Sequence, residues 1–171
     1  MQRRTMIRHM VAAALLPALF AFPRKFRVVH AAGPLRVSHE RWREILPEDR
    51  YRVLFEEATE PPRSSPLDKE YGDGTYICAA CYQPLFDSAD KFDSGTGWPS
   101  FTRPLDGAMG TKRDFRLIWP RTEYHCSRCG GHQGHVFDDG PPPTGKRWCN
   151  NGLAIEFVPR EEKLPPLREP T

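Results

Sequence analysis

Two Cys-x-x-Cys clasps, Cys78/Cys81 and Cys126/Cys129, stand 44 residues apart, and that separation constrains the fold more than any other feature of the chain. Four thiolates in tetrahedral array make a closed structural zinc site. The compact ribbon pattern leaves roughly 15 to 20 residues between its two pairs. A single local finger is therefore excluded, and two distant hairpins must be brought together by the rest of the fold. Redox-active or disulfide-bonded pairs are the competing reading, one that an oxidising compartment would favour.

Four cysteines in clasps leave Cys149 over, in a segment Arg147-Trp148-Cys149-Asn150-Asn151 that reads as a strand. Alternation in a strand puts Arg147, Cys149 and Asn151 on one face and Trp148 and Asn150 on the other. A guanidinium and an amide beside a thiol stabilise its nucleophilic thiolate. A buried, inert thiol is the alternative, since free cysteine is among the most buried residue types.

Charge changes meaning along the chain. Residues 1–32 hold Arg3, Arg4, Arg8, Arg24, Lys25 and Arg27 and no acid, around an apolar run from Met10 to Phe22. That run is shorter than the about 20 residues a membrane span needs and fits the core of an export signal. The pair Arg3-Arg4 points to the bacterial twin-arginine route, and so to the periplasm. A mitochondrial transit peptide and an uncleaved amphipathic anchor are the alternatives. Without residues 1–32 the net charge of +3 becomes −3, because six bases and no acids are removed. No basic stripe is left to release counterions from phosphates, so nucleic acid is not expected as a partner. Residues 33–159 are expected to form one domain, and 160–171, charged and proline-rich, a flexible tail.

The domain opens with helical signals. Ser38 can cap a helix carrying Trp42, Ile45 and Leu46; Pro47 in a first turn begins a second, with Glu48 and Asp49 near its start and Tyr51, Leu54 and Phe55 on one face. Beyond residue 75 short strands broken by Gly, Pro and Asp are predicted at 75–80, 82–87, 101–105, 115–119, 123–127, 135–138 and 146–158. Close spacing of this kind indicates an antiparallel, mainly β body with short helices at its amino end.

Two further segments carry chemistry. Gly130-Gly131-His132-Gln133-Gly134-His135 surrounds two histidines with three glycines, and a tight backbone there can bring both imidazoles to one point for acid–base work or metal ligation. Around Thr96, Gly95 and Gly97 permit a turn, and Pro99 holds Trp98 extended, so an indole can be presented at a site mouth. A core tryptophan is the plainer alternative.

In order along the chain, Thr59-Glu60-Pro61, the first clasp, Lys91-Phe92-Asp93-Ser94-Gly95-x-Gly97-Trp98-Pro99-Ser100-Phe101, the second clasp with its histidines, and Asp139-Gly140-Pro141 through Arg147-x-Cys149-x-Asn151 resemble the methionine-R-sulfoxide reductase family, type B. The resemblance runs from about Trp42 to Phe157. It implies two antiparallel sheets with short amino-terminal helices, stapled by one Zn2+ on Cys78, Cys81, Cys126 and Cys129.

The resemblance also implies roles. Cys149 attacks the sulfoxide sulfur of methionine-R-sulfoxide in oxidised proteins, His132 or His135 supplies a proton to the oxygen, and Trp98 walls the S-methyl group. Arg147 and Asn151 orient the site and bias Cys149 toward thiolate. Many relatives place a resolving cysteine where this chain has Thr96, so the sulfenic acid left on Cys149 is expected to need an external thiol, thioredoxin-like or of low molecular weight. Leucine is usual where this chain has Gln133, which predicts a more polar pocket. The protein is expected to be a monomer. A thiol-disulfide oxidoreductase and a non-catalytic zinc binding module are the rivals.

Overall fold

The computed structural model describes residues 33–115 and 120–170. The expected export signal, residues 1–32, lies outside the described residues. Two helices come first. In α1 (His39–Ile45) the Ser38 hydroxyl accepts from the Arg41 N–H, so serine caps the helix as its position suggests. In α2 (Glu48–Glu56) Pro47 takes the cap position itself, one residue earlier than expected, and the acids of the first turn are Glu48 and Asp49. The helix stops where Glu57 turns left-handed, at φ 53°. Trp42 stacks on Phe55 at 5.3 Å and 17°, which joins the two helices through their buried faces.

Nine strands follow among the described residues: β1 (Gly74–Cys78), β2 (Pro84–Asp87), β3 (Lys91–Phe92), β4 (Ser100–Phe101), β5 (Met109–Asp114), β6 (Arg121–Cys126), β7 (His132–Phe137), β8 (Arg147–Asn150) and β9 (Ile155–Pro159). They form two antiparallel sheets, one in the order β2-β1-β9 and one in the order β3-β4-β8-β7-β6-β5. The mainly β, two-sheet architecture with short amino-terminal helices is the one expected. Aromatic rings weld the layers, Phe86 lying parallel to Phe101 at 4.0 Å and Tyr76 meeting Phe101 edge-on at 4.9 Å; within the larger sheet Tyr124 meets Trp148 at 4.9 Å. Every residue of β1 is buried, because it is the central strand of its sheet.

Three strands differ from expectation. The single strand expected over 146–158 is two, β8 in one sheet and β9 in the other, joined by a 3-10 turn at Gly152–Ala154 that lets the chain change sheets. The strand expected over 101–105 ends at Phe101, short of Pro104. That expected over 115–119 is displaced: β5 ends at Asp114, and 116–119 lie outside the described residues. Met109–Asp114 gives no strand signal because it is an outer strand without buried residues, so no apolar alternation marks it.

The tail carries no regular structure yet is tied to the domain. The Arg160 N–H donates to Asp73 O at 2.9 Å, the Arg168 N–H to Cys81 O at 3.0 Å, and buried Arg128 donates to Arg168 O at 2.8 Å. Among the described residues no helix is long and apolar enough to cross a membrane.

Candidate active site and metal centre

The two clasps fold alike. Cys78 ends β1 and Cys126 ends β6; in each, the residue after the second cysteine, Tyr82 or Gly130, is left-handed (φ 63° and 75°) and its N–H donates back to the first cysteine's carbonyl at 2.8 and 2.9 Å. The two hairpin ends meet so that all four sulfurs lie within 4.8 Å of one another. Cys78 Sγ is 3.7 Å from Cys129 Sγ, and Cys81 Sγ 3.6 Å from Cys126 Sγ. A disulfide needs about 2.05 Å. A tetrahedral metal with sulfur ligands at about 2.3 Å separates them by about 3.8 Å. The donor set therefore fits one metal ion. Two side-chain amides point at the cluster, Gln83 Nε2 at 3.5 Å from Cys126 Sγ and Gln133 Nε2 at 3.7 Å from Cys78 Sγ. Burial pushes the Cys78 thiol well up, a cost that a bound cation reverses.

Cys149 lies in β8 between β4 and β7, directly opposite Ser100 on one side and His135 on the other. Gly134 makes the approach possible, because a Cβ there would collide with the Cys149 carbonyl. A cavity of about 120 Å3 opens over the thiol, lined by Thr59, Trp98, Arg121, His135, Phe137 and Asn151 among others. A larger cavity, about 700 Å3, lies on the far side of Glu60 and contains neither thiol nor imidazole, so it lacks the groups this chemistry needs.

Arg147 forks onto Asp139 through two bonds of 2.9 Å and stacks over Phe137 at 4.3 Å. Burial pushes the Cys149 thiol up from its ordinary value; the Arg147 charge and a hydrogen bond from Thr96 work against it without overcoming it. Asn151 takes no part in this. It lies beyond the end of β8, its Oδ1 accepts from the Glu60 N–H at 3.1 Å, and its Nδ2 donates to Gln133 O at 3.1 Å. The expected bias toward thiolate thus comes from Arg147 alone, with burial outweighing it at the sulfur, and the part expected of Asn151 is corrected: that residue shapes the pocket wall.

The two histidines are brought together by a bulge. Between β6 and β7, Tyr124 pairs with Gly134 but His125 with His132, leaving Gln133 as an extra residue. In a regular strand residues three apart face opposite ways; the inserted residue restores them to one side. The rings of His132 and His135 sit 5.4 Å apart. They differ in setting. His135 faces the Cys149 pocket and is held by Asp114, whose Oδ2 is 2.8 Å from Nε2 and 2.7 Å from Arg121 Nη2. Burial and the Arg121 charge pull His135 below the ordinary histidine range, with Asp114 opposing. His132 is buried, lines a separate cavity of about 260 Å3 with Trp42, Leu54 and Phe55, and has Nδ1 2.7 Å from Glu123 Oε1. Burial resists ionisation of Glu123, yet hydrogen bonds from His125 and His132 hold its carboxyl at about 2.

Gln133 corrects a second expectation. Its side chain is fully buried and points away from the pocket, giving one N–H toward Cys78 Sγ while its Oε1 accepts from Asn150 Nδ2 at 3.4 Å. Asn150 Oδ1 in turn accepts from Tyr124 Oη at 2.8 Å. Trp98 is tied through its indole N–H to Glu60 O at 3.1 Å, and the Glu60 carboxylate accepts from the N–H groups of Gly152 and Leu153 at 2.6 and 2.9 Å.

Sequence reasoning misses Asp114, Arg121, Glu123 and Phe137. A signal for two of them exists: Arg121, Glu123 and His125 alternate with Thr122, Tyr124 and Cys126, which puts charge along one face of β6, an inner strand of its sheet.

A β-sandwich with a four-cysteine centre and a lone thiol facing a histidine defines a class of thiol enzyme. The SelR domain matches residues 46–159 of the chain. Curated relatives named peptide methionine sulfoxide reductase MsrB include one from Pseudomonas fluorescens (49% identical, covering 71% of this chain and 94% of the relative), one from Agrobacterium fabrum (50%, 69% and 88%) and one from Methanosarcina barkeri (47%, 73% and 89%). The chain belongs to this MsrB family, whose signature is the SelR domain.

Proposed function

We propose that the protein is a peptide-methionine (R)-S-oxide reductase with Cys149 as nucleophile. One observation carries the reading: the only thiol outside the clasps lies directly opposite His135 at the floor of a small pocket walled by Trp98. The Cys149 sulfur attacks the sulfoxide sulfur, His135 delivers a proton to the oxygen, and the oxygen passes to Cys149 as methionine leaves. Thiol and sulfoxide thus become sulfenic acid and thioether. A thioredoxin-like or low-molecular-weight thiol then displaces water to form a mixed disulfide, and a second thiol frees Cys149.

A pocket of about 120 Å3 takes the end of one side chain and leaves the substrate backbone outside, which supports a peptide-bound methionine sulfoxide. The indole face of Trp98 suits a sulfur-bound methyl, a contact of about 0.3 to 1.5 kcal/mol. His132, behind His135 and paired with Glu123, supports the acid without meeting the substrate. The clasp cysteines would hold Zn2+, which supplies positive charge to four thiolates, three of them buried, and no redox step. Four sulfurs around one point speak against a redox-active pair, and hence against a thiol-disulfide oxidoreductase. The acid-free leader with Arg3-Arg4 supports export by the twin-arginine route, which moves proteins already folded and metallated.

The test is a single turnover without reductant on the R and S epimers of a methionine sulfoxide peptide. One methionine per enzyme from the R epimer, none from the S, and a dimedone adduct on Cys149 are expected. A disulfide between Cys149 and a clasp cysteine after one turnover would overturn the external-thiol route. Reduction of the S epimer at equal rate would overturn the assignment of the pocket. Export is tested by loss of the periplasmic protein when Arg3→Lys and Arg4→Lys are combined in one variant.

A further inference from the structure

Glu60 is a buried carboxylate that pairs with no cation among the described residues; Arg50, which lines the same cavity, is bonded to Glu156 at 2.6 Å. A buried charge costs stability unless hydrogen bonds hold it, and an apolar side chain of similar size would avoid the cost altogether. Two bonds hold this one: Oε1 and Oε2 accept from the N–H groups of Gly152 and Leu153 at 2.6 and 2.9 Å. Those N–H groups open the 3-10 turn that follows β8, where the turn itself offers them no acceptor and Asn151 gives no side-chain cap. Position 152 must be glycine for this contact, because a Cβ there would fall on the Ser65 hydroxyl and close to Glu60 Oε1.

The backbone of Glu60 serves the other side of the pocket. Its N–H donates to Asn151 Oδ1 at 3.1 Å, and its carbonyl accepts the indole N–H of Trp98 at 3.1 Å. Three residues on, the Arg63 N–H donates to Gly97 O at 2.7 Å, where Pro62 and Arg63 leave no room for a Cβ on Gly97. Residues 60–63 therefore form a strut between the loop that carries Trp98 and the exit of the strand that carries Cys149. The β4–β8 pair and the bond from the Asn150 N–H to Pro99 O at 2.8 Å fix the backbone of that loop; the indole that projects from it is fixed by Glu60. A main-chain carbonyl is the same in every residue, so the sequence controls this anchor only through where the carbonyl sits, and the carboxylate on the turn decides that.

We propose that Glu60 is a positioning residue: by gripping the turn after β8 with its carboxylate, it sets how far the Trp98 wall stands from Cys149, and so the width of the pocket for the group on the substrate sulfur. Thr59, one residue earlier, lines the same pocket and is held by the same grip. The inference rests on the reading of Cys149 as nucleophile and Trp98 as wall.

The experiment is a double-mutant cycle between Glu60→Gln and Trp98→Phe in the metal-loaded protein, where Cys149 is the one thiol outside the clasps. Glutamine keeps the shape but offers a single acceptor to the two N–H groups; phenylalanine keeps an aromatic wall and loses the N–H that reaches Glu60. The first readout is the ratio of Cys149 alkylation rates with N-ethylmaleimide and the bulkier N-cyclohexylmaleimide. It reports pocket width with no sulfoxide present, so a failed reductase assignment leaves it intact. The second is KM against kcat for a methionine-R-sulfoxide peptide. Glu60→Gln is expected to narrow the preference for the smaller maleimide severalfold and to raise KM roughly two- to tenfold, the range of one sulfur–aromatic contact, with kcat changed by less than about twofold. In the Trp98→Phe background it should move neither readout further, because no indole N–H is left for it to place. Glu60→Asp, one methylene shorter, replaces Glu60→Gln if the latter loses its metal or its thermal transition. An unchanged maleimide ratio in the Glu60 variant would overturn the proposal, as would effects of the two substitutions that simply add.

Discussion

The clasp cysteines and Cys149 are the same residue placed in two backbone settings. Each clasp cysteine sits at the end of a hairpin strand or in the turn that follows, where backbone N–H and C=O groups turn on one another and side chains from two hairpins can converge. Cys149 sits inside a strand, between His135 and Ser100, and neither neighbouring strand carries a second thiol. Convergence suits a metal centre; isolation between an imidazole and a hydroxyl suits the nucleophile proposed above. What separates structural from reactive cysteine here is the secondary structure that carries it, more than burial, for Cys149 and Cys129 are both half-buried.

Breaking the clasp end should have the largest effect. Structural zinc is worth about 10 to 16 kcal/mol in small peptides, against about 5 to 15 kcal/mol for the stability of a whole domain. Cys126→Ser should therefore abolish metal binding and the cooperative thermal transition together; a variant with native melting and no metal would sink the structural role. Cys149→Ser draws the contrast: metal content and melting should match the parent while methionine-R-sulfoxide reduction falls to background. Residual turnover above background would point to another nucleophile.

Smaller effects sharpen the contrast at the reactive end. Asp114→Asn removes the carboxylate that orients His135 and should cost about 10- to 100-fold in kcat/KM, within the range of general-acid catalysis. A change below twofold would show that Asp114 is not needed to hold the ring. The pH profile follows from the two shifts. The active form carries thiolate and imidazolium, and it shares its proton count with the thiol and neutral imidazole that dominate between the two transitions. Because His135 lies below 6.5 and Cys149 above 9.0, kcat/KM should be flat between two limbs, falling below the first as Cys149 and His135 both hold protons and above the second as both lose them. A peak narrower than about one unit would contradict these directions.

Gln133→Leu should have the smallest effect, since leucine fills a similar space and removes only a weak N–H···S contact and one long bond to Asn150. Stability should change by about 1 kcal/mol or less. A loss confined to metal affinity would tie Gln133 to the clasp end, and one confined to activity, with metal retained, would tie it to β8.

The metal centre is legible in the sequence because cysteine spacing is a local pattern with few meanings, and Cys149 follows by subtraction. The sheets are legible in class, though β5 is not, since four of its six residues are polar and none is buried. Strand alternation misplaces Asn151 when it is carried one residue past Asn150, where the chain already turns toward Gly152. Gln133 is misplaced because a bulge is invisible to a pattern with period two. Asp114 and Arg121 cannot be linked to His135 without knowing that β5, β6 and β7 adjoin.

The bulge at Gln133 also makes chain length a functional quantity. From the turn after Cys129 to His135 the tolerance is one-sided: losing Gln133 would leave a regular ladder with both imidazoles still on one face but without the amide that points at Cys78 Sγ, whereas a further residue would have to widen the bulge or send His135 to the far side of the sheet from Cys149. The loop from Asp138 to Lys146, which joins β7 to β8 outside both ladders, is under no such restriction. Insertions and deletions in homologous chains should therefore collect in that loop and spare the few residues between the second clasp and the histidine.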